Sequence, residues 1–152
     1  MLIVASESQE RERFNHAARE AAAAGLRVEV EHPVRWPWAC KTAVRATISE
    51  NGGCACSLLS DAADWDADFW ATRPEILDQL ARTLQIIVDE GPPRLTAEAL
   101  WIGETPRQTS RVTAAELIEL ARSSRLGTKT RYELSTDGTN EEAVNPDGTR
   151  LR

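Results

Sequence analysis

Hydrophobic positions along the chain change their period several times, and each change marks an element. Residues 1–5 form a short unbroken apolar run, as expected of a buried strand. Ser6 follows as a helix N-cap, with Gln9 three positions on as its capping-box partner. The helix so opened carries Phe14, Ala17, Ala18, Ala21 and Ala22 on one stripe, and Gly25 stands where a helix C′ residue belongs. Leu26, Val28 and Val30 then alternate with Arg27, Glu29 and Glu31, the period of a half-buried strand. A β-α-β order of this kind favours parallel pairing through a right-handed crossover.

Pro33 and Pro37 make residues 32–38 a loop, since proline fits neither a helix interior nor a central strand. The alternating run 44–49 and the run 54–59 flank Asn51-Gly52, the sequence signal of a hairpin turn. Residues 60–71 read as an acidic loop, after which Thr72 and Glu75 form a capping box around Pro74. The helix beyond it shows Ile76, Leu77, Leu80, Leu84, Ile87 and Val88 on one face and stops at Gly91-Pro92-Pro93. A strand over 95–102 contains Trp101. Thr113 and Glu116 then cap a short helix burying Leu117, Ile118, Leu120 and Ala121, and a strand follows over 128–134.

This order predicts an α+β fold: a two-layer mixed β-sheet with helices mainly on one face, and a ferredoxin-like core with an extra C-terminal helix and strand. A small three-layer α/β sheet is the alternative. Residues 1–135 are expected to form a single globular domain, and the polar residues 136–152 a disordered tail.

Composition changes the picture in three respects. No apolar run reaches the roughly 20 residues of a bilayer span, and the short run at the start does not read as a signal peptide. Together with an odd count of 3 cysteines this predicts a cytoplasmic protein without a disulfide framework and without a membrane partner. The net charge of −6 argues against general nucleic-acid binding. Its distribution is uneven: residues 50–104 hold eleven acids against three arginines, and residues 105–134 hold six basic side chains against three acids. Solvated helix faces are the simplest account of this polarity; orientation of a partner, or the two regions facing each other, are the alternatives.

Candidate chemistry concentrates between Asn51 and Glu75. Cys54 and Cys56, two apart on an expected strand, share a face and suit one soft metal ion or a thiol role. Core packing is the simpler account, because cysteine is among the most buried residue types and neighbouring acids raise a thiol's pKa rather than lower it. Cys40 and His32 match no zinc spacing.

Asp61, Asp64, Asp66 and Asp68 crowd four carboxylates into one loop. Asp64, Asp66 and Asp68 stand at positions 1, 3 and 5 of a calcium-type loop with Glu75 at position 12, which makes a divalent cation the candidate cofactor. Phe69 stands where such a loop wants glycine, and a polar loop near a helix N-terminus explains the same acids.

Four tryptophans, Trp36, Trp38, Trp65 and Trp70, fall in expected loops, where aromatics line ligand pockets or pin a loop onto the domain. The expected function is a ligand- or partner-binding, regulatory module that takes a small molecule or a protein partner. Its poorly covered sheet face offers a homodimer interface. The alternative is a thiol- or divalent-cation-dependent enzyme using Cys54, Cys56 and the aspartates. His16 is given no role.

Overall fold

A computed structural model describes residues 2–30, 43–50, 58, 74–100 and 105–134. Six strands and three helices follow one another there: β1 (Leu2–Glu7), α1 (Arg11–Ala22) after a 3-10 turn at Ser8–Glu10, β2 (Arg27–Val30), β3 (Ala43–Ser49), α2 (Pro74–Glu90), β4 (Thr96–Ala99), β5 (Gln108–Val112), α3 (Ala114–Arg122) and β6 (Thr130–Leu134). The strands form one open mixed sheet in the order β2-β3-β1-β4-β6-β5. Every neighbouring pair is antiparallel except β5 and β6.

Strand alternation decides which residues meet the helices. In β1, Leu2 and Val4 lie level with Ile48 and Ala46 of β3 on one side and with Ala99 and Ala97 of β4 on the other. These residues join Val44, Tyr132 and Val112 in a single core with Phe14 of α1, Leu80, Leu84 and Ile87 of α2, and Leu117 and Ile118 of α3. All three helices therefore pack on one sheet face, and the fold is the expected two-layer α+β arrangement. Ala97 and Ala99 leave room for the helices to lie close.

The opposite face is polar at its rim, with Arg27, Glu29, Thr109 and Arg111 exposed. Its centre is not bare: Ile3 is 7% exposed, and Leu100, just past β4, is 5% exposed. Beside Ile3, Glu98 is buried and holds Arg131 of β6 in an ion pair at 2.6 Å.

Three local expectations change. Ser6 does not cap a helix: it stays in β1 opposite Val44, buried, and its hydroxyl donates to the carbonyl of Arg94 at 2.7 Å. The cap position of α1 belongs to Glu10, which makes no side-chain cap bond. Long-range strand pairing has outweighed the local capping signal.

Secondly, β1 and β2 run in the same direction but do not pair, because β3 lies between them. Thirdly, β3 has no edge left for a hairpin partner over Ala46–Ile48, since β1 takes one side and β2 the other. The hairpin expected at Asn51-Gly52 is thus not made by β3. Leu58, expected in its second strand, sits in a 3-10 turn.

The C-terminal addition is a strand-helix-strand unit, β5-α3-β6, rather than a helix and one strand. Its capping box is as expected. Glu116 N donates to Thr113 Oγ1 at 3.2 Å, and the Thr113 backbone N–H donates to Glu116 Oε2 at 2.8 Å. The backbone bond, then the Thr113 hydroxyl, hold the Glu116 carboxyl below the ordinary glutamate range. A lowered folded value means that the carboxylate ionises more readily in the folded chain than in the unfolded one. Its stabilisation is complete above the unfolded titration and is lost as pH falls through the folded value. Acid titration of Glu116→Gln, followed by thermal unfolding, should show a shallower loss of stability over that window than the native chain.

α2 ends where Gly91 was expected to end it. A Cβ there would press into the carbonyl oxygen of Ile87, so only glycine fits the close turn. Within α2, Thr83 is fully buried and, among the described residues, its hydroxyl has no hydrogen-bond partner. Thr83→Val keeps the shape and removes the unsatisfied group, so chemical denaturation should show a gain of about 1 kcal/mol. A loss of stability would mean that the hydroxyl is bonded.

Candidate functional site

Strand register defines two ends of the sheet. One carries Leu2, Arg27, Ser49, Ala99, Gln108 and Thr130, and the other carries Glu7, Val30, Ala43, Thr96, Val112 and Leu134. Along β3, seven residues long, the ends are roughly 20 Å apart.

Connection 51–73 leaves from the Ser49 end and returns to Pro74, the first residue of α2. The start of α2 lies at that same end. Gln79 approaches Gly25, in the turn before β2, and Asp78 pairs with Arg122 at the end of α3 at 3.8 Å. Gly25 takes φ +109 there, a conformation open to glycine. Connection 31–42 instead runs from Val30 to Ala43, at the opposite end. The attachment points of the Trp36 and Trp38 segment are therefore not brought together with those of the segment bearing Cys54, Cys56, Trp65 and Trp70.

Most sequence-derived candidates lie outside the described residues: Trp36, Trp38, Cys54, Cys56, Asp61, Asp64, Trp65, Asp66, Asp68 and Trp70, along with His32, Cys40, Thr72 and Trp101. So does the expected tail, 136–152. Two positions of the 51–75 stretch are described besides Pro74. Glu75 stands exposed in the first turn of α2, where the helix dipole favours a negative charge. Leu58 is 0% exposed and belongs to the central core. Sequence reasoning had treated Leu58 as one apolar residue of a hairpin, and its role as a core member was missed.

The Ser49 end also gathers basic side chains. Arg107 precedes β5 and its backbone N–H donates to the carbonyl of Lys129, which lies just before β6. Arg122 closes α3 and Arg125 follows it, with its Nε donating to Ser123 Oγ at 2.9 Å. Lys129 is held at φ 61, and its backbone N–H donates to the Ala99 carbonyl at 2.7 Å. Of these, Arg122 meets the start of α2 through Asp78, while Arg107 and Lys129 lie on the β5–β6 side of the same end.

A concavity lies on the outer side of the helix layer, between α1 and α2. His16, Glu20, Arg82, Gln85, Ile86, Asp89 and Glu90 are among the residues lining it. It is a wide groove, and its charged side chains are exposed. Among the described residues no three histidine, cysteine or acidic side chains group as a metal site. No described helix is long and apolar enough to cross a membrane.

Compared with protein-family models, curated proteins and solved structures, the chain matches none.

Proposed function

We propose that this chain is a ligand- or partner-binding module whose site is built at the Ser49 end of the sheet by residues 51–75. The burial of Leu58 in the central core is the observation that carries this reading. A fully enclosed leucine just ahead of the acidic, tryptophan-bearing part ties the start of the stretch to the domain. Its two ends are fixed as well, at Ser49 and at Pro74. Trp70 then stands close in sequence to Pro74, and Trp65 lies on the span between Leu58 and Pro74, so tethering at both ends limits the ordering entropy a ligand must offset. Arg107, Arg122, Arg125 and Lys129 supply charge of the opposite sign to the four aspartates and favour their attachment at this end.

The ferredoxin-like core is kept as part of this proposal. It is supported by the run β1-α1-β2-β3-α2-β4 with strand order β2-β3-β1-β4, antiparallel throughout. The same proposal takes a small molecule or a protein segment as the ligand, through tryptophan contact rather than through a basic nucleic-acid groove.

Intrinsic tryptophan fluorescence tests this with the full chain and a panel of nucleotides, amino acids, sugars and organic acids. A saturable change is expected that is lost in Trp65→Phe and Trp70→Phe and kept in Trp36→Phe and Trp38→Phe. A response carried by Trp36 and Trp38 would move the site to the opposite end and overturn the proposal.

A further inference from the structure

The sheet is open, and β2 is one of its two edges. Among the described residues nothing pairs with the outer side of β2. Val30 is the one large hydrophobic side chain of the described residues that remains exposed, at 36%, and it lies on this strand. An unpaired edge with an exposed valine is a template for another strand.

The residues of β2 also indicate which strand. Arg27 and Glu29 lie on the same face and already pair with each other along the strand. In an antiparallel pairing of β2 with a second β2 about a two-fold axis through Val28, Arg27 falls opposite Glu29 of the second copy. Glu29 falls opposite Arg27 of that copy, and Val28 meets Val28. The same register sets Val30 against the second copy's Leu26. Two opposite-charge cross-strand pairs and a valine pair result from one four-residue strand. A two-fold interface must be self-complementary in this way.

The other edge lacks this property. β5 reads Gln108-Thr109-Ser110-Arg111-Val112 and has no acid to set against Arg111. The sheet face is a poorer dimer surface as well, since Ile3 and Leu100 at its centre are already buried within one chain.

We infer that the chain forms a homodimer through antiparallel pairing of the β2 edges, with the two-fold axis at Val28, joining two six-stranded sheets into one continuous sheet. The axis stands perpendicular to the sheet, so both helix layers lie on the same side. The sites proposed at the two Ser49 ends would then point in opposite directions along the strands, each left open.

Charge reversal tests this directly, by sedimentation or light scattering of the full chain over micromolar to submillimolar concentrations. The native chain should approach twice the monomer mass as concentration rises. Arg27→Glu alone, or Glu29→Arg alone, places like charges opposite each other at both pairs and should raise the dissociation constant about tenfold or more. The double variant Arg27→Glu/Glu29→Arg restores opposite charges and should return the constant near its native value. Circular dichroism should show all three variants folded, because the exposed pair within the strand contributes little by itself. A native chain that stays monomeric throughout, or a dimer indifferent to the single reversals, overturns the inference.

Discussion

Phe14→Ala should lower the unfolding free energy by about 3–5 kcal/mol, read as a shift of the denaturation midpoint without a change in slope. Among the described residues Phe14 is the largest of the fully buried side chains, 1% exposed. The rest of the buried stripe of α1 is alanine: Ala17, Ala18 and Ala21. Alanines let the helix approach the sheet closely, but they offer little volume to collapse into a void. Phe14 is therefore the one large side chain in the buried stripe of α1, and its loss leaves a cavity that small neighbours cannot fill. A loss below about 1 kcal/mol would mean that α1 packs by some other face.

Leu58→Ala should cost about 2–5 kcal/mol, and Leu58→Asp more, because a carboxylate would replace a side chain with no exposure. The sequence puts Leu58 beside Leu59 in the apolar run 54–59 without saying which of the two is enclosed, and a leucine left on the surface ordinarily changes stability by less than about 0.5 kcal/mol. A large loss in urea denaturation therefore separates a loop pinned into the core from one lying on the surface. The proposed binding site depends on the first alternative. Leu58→Ala should also weaken the tryptophan response to ligand, since the segment would lose its anchor ahead of Trp65 and Trp70 while both remained.

Much of the fold was legible because its elements follow local rules. The 3.6-residue stripes of α1 and α2, the Thr113–Glu116 capping box and the stop at Gly91 are statements about neighbours in sequence, and the structure contains each of them. Pairing partners are not local. Asn51-Gly52 reads as a turn, yet β3 is claimed on both sides by β1 and β2. Ser6 has a capping signature, yet its place between β3 and β4 offers a better-satisfied hydroxyl. β5 escaped notice for a different reason. Four of its five residues are polar and only Val112 is buried, so an edge strand of this kind leaves almost no hydrophobic period to read.

For the candidate site, the sequence located a stretch but not its attachment. Clustered acids, paired cysteines and loop tryptophans drew attention to residues 51–75, and the same reasoning joined Trp36 and Trp38 to them. Strand register puts the attachment points of those two tryptophans at the far end of the sheet, which no local pattern could reveal. Nor does the apolar run 54–59 show by itself which of its residues is enclosed by the core.

Alkylation of a cysteine placed at position 58 is the most direct measurement of that enclosure. Cys40, Cys54 and Cys56 would first be replaced by serine, which removes all 3 native thiols, and Leu58→Cys then introduced. Under native conditions the thiol should react only as fast as the domain opens, with the rate rising steeply at the unfolding midpoint. Labelling at the speed of a free, exposed thiol in the folded protein would contradict the seating of Leu58, and with it the placement of a binding site at the Ser49 end.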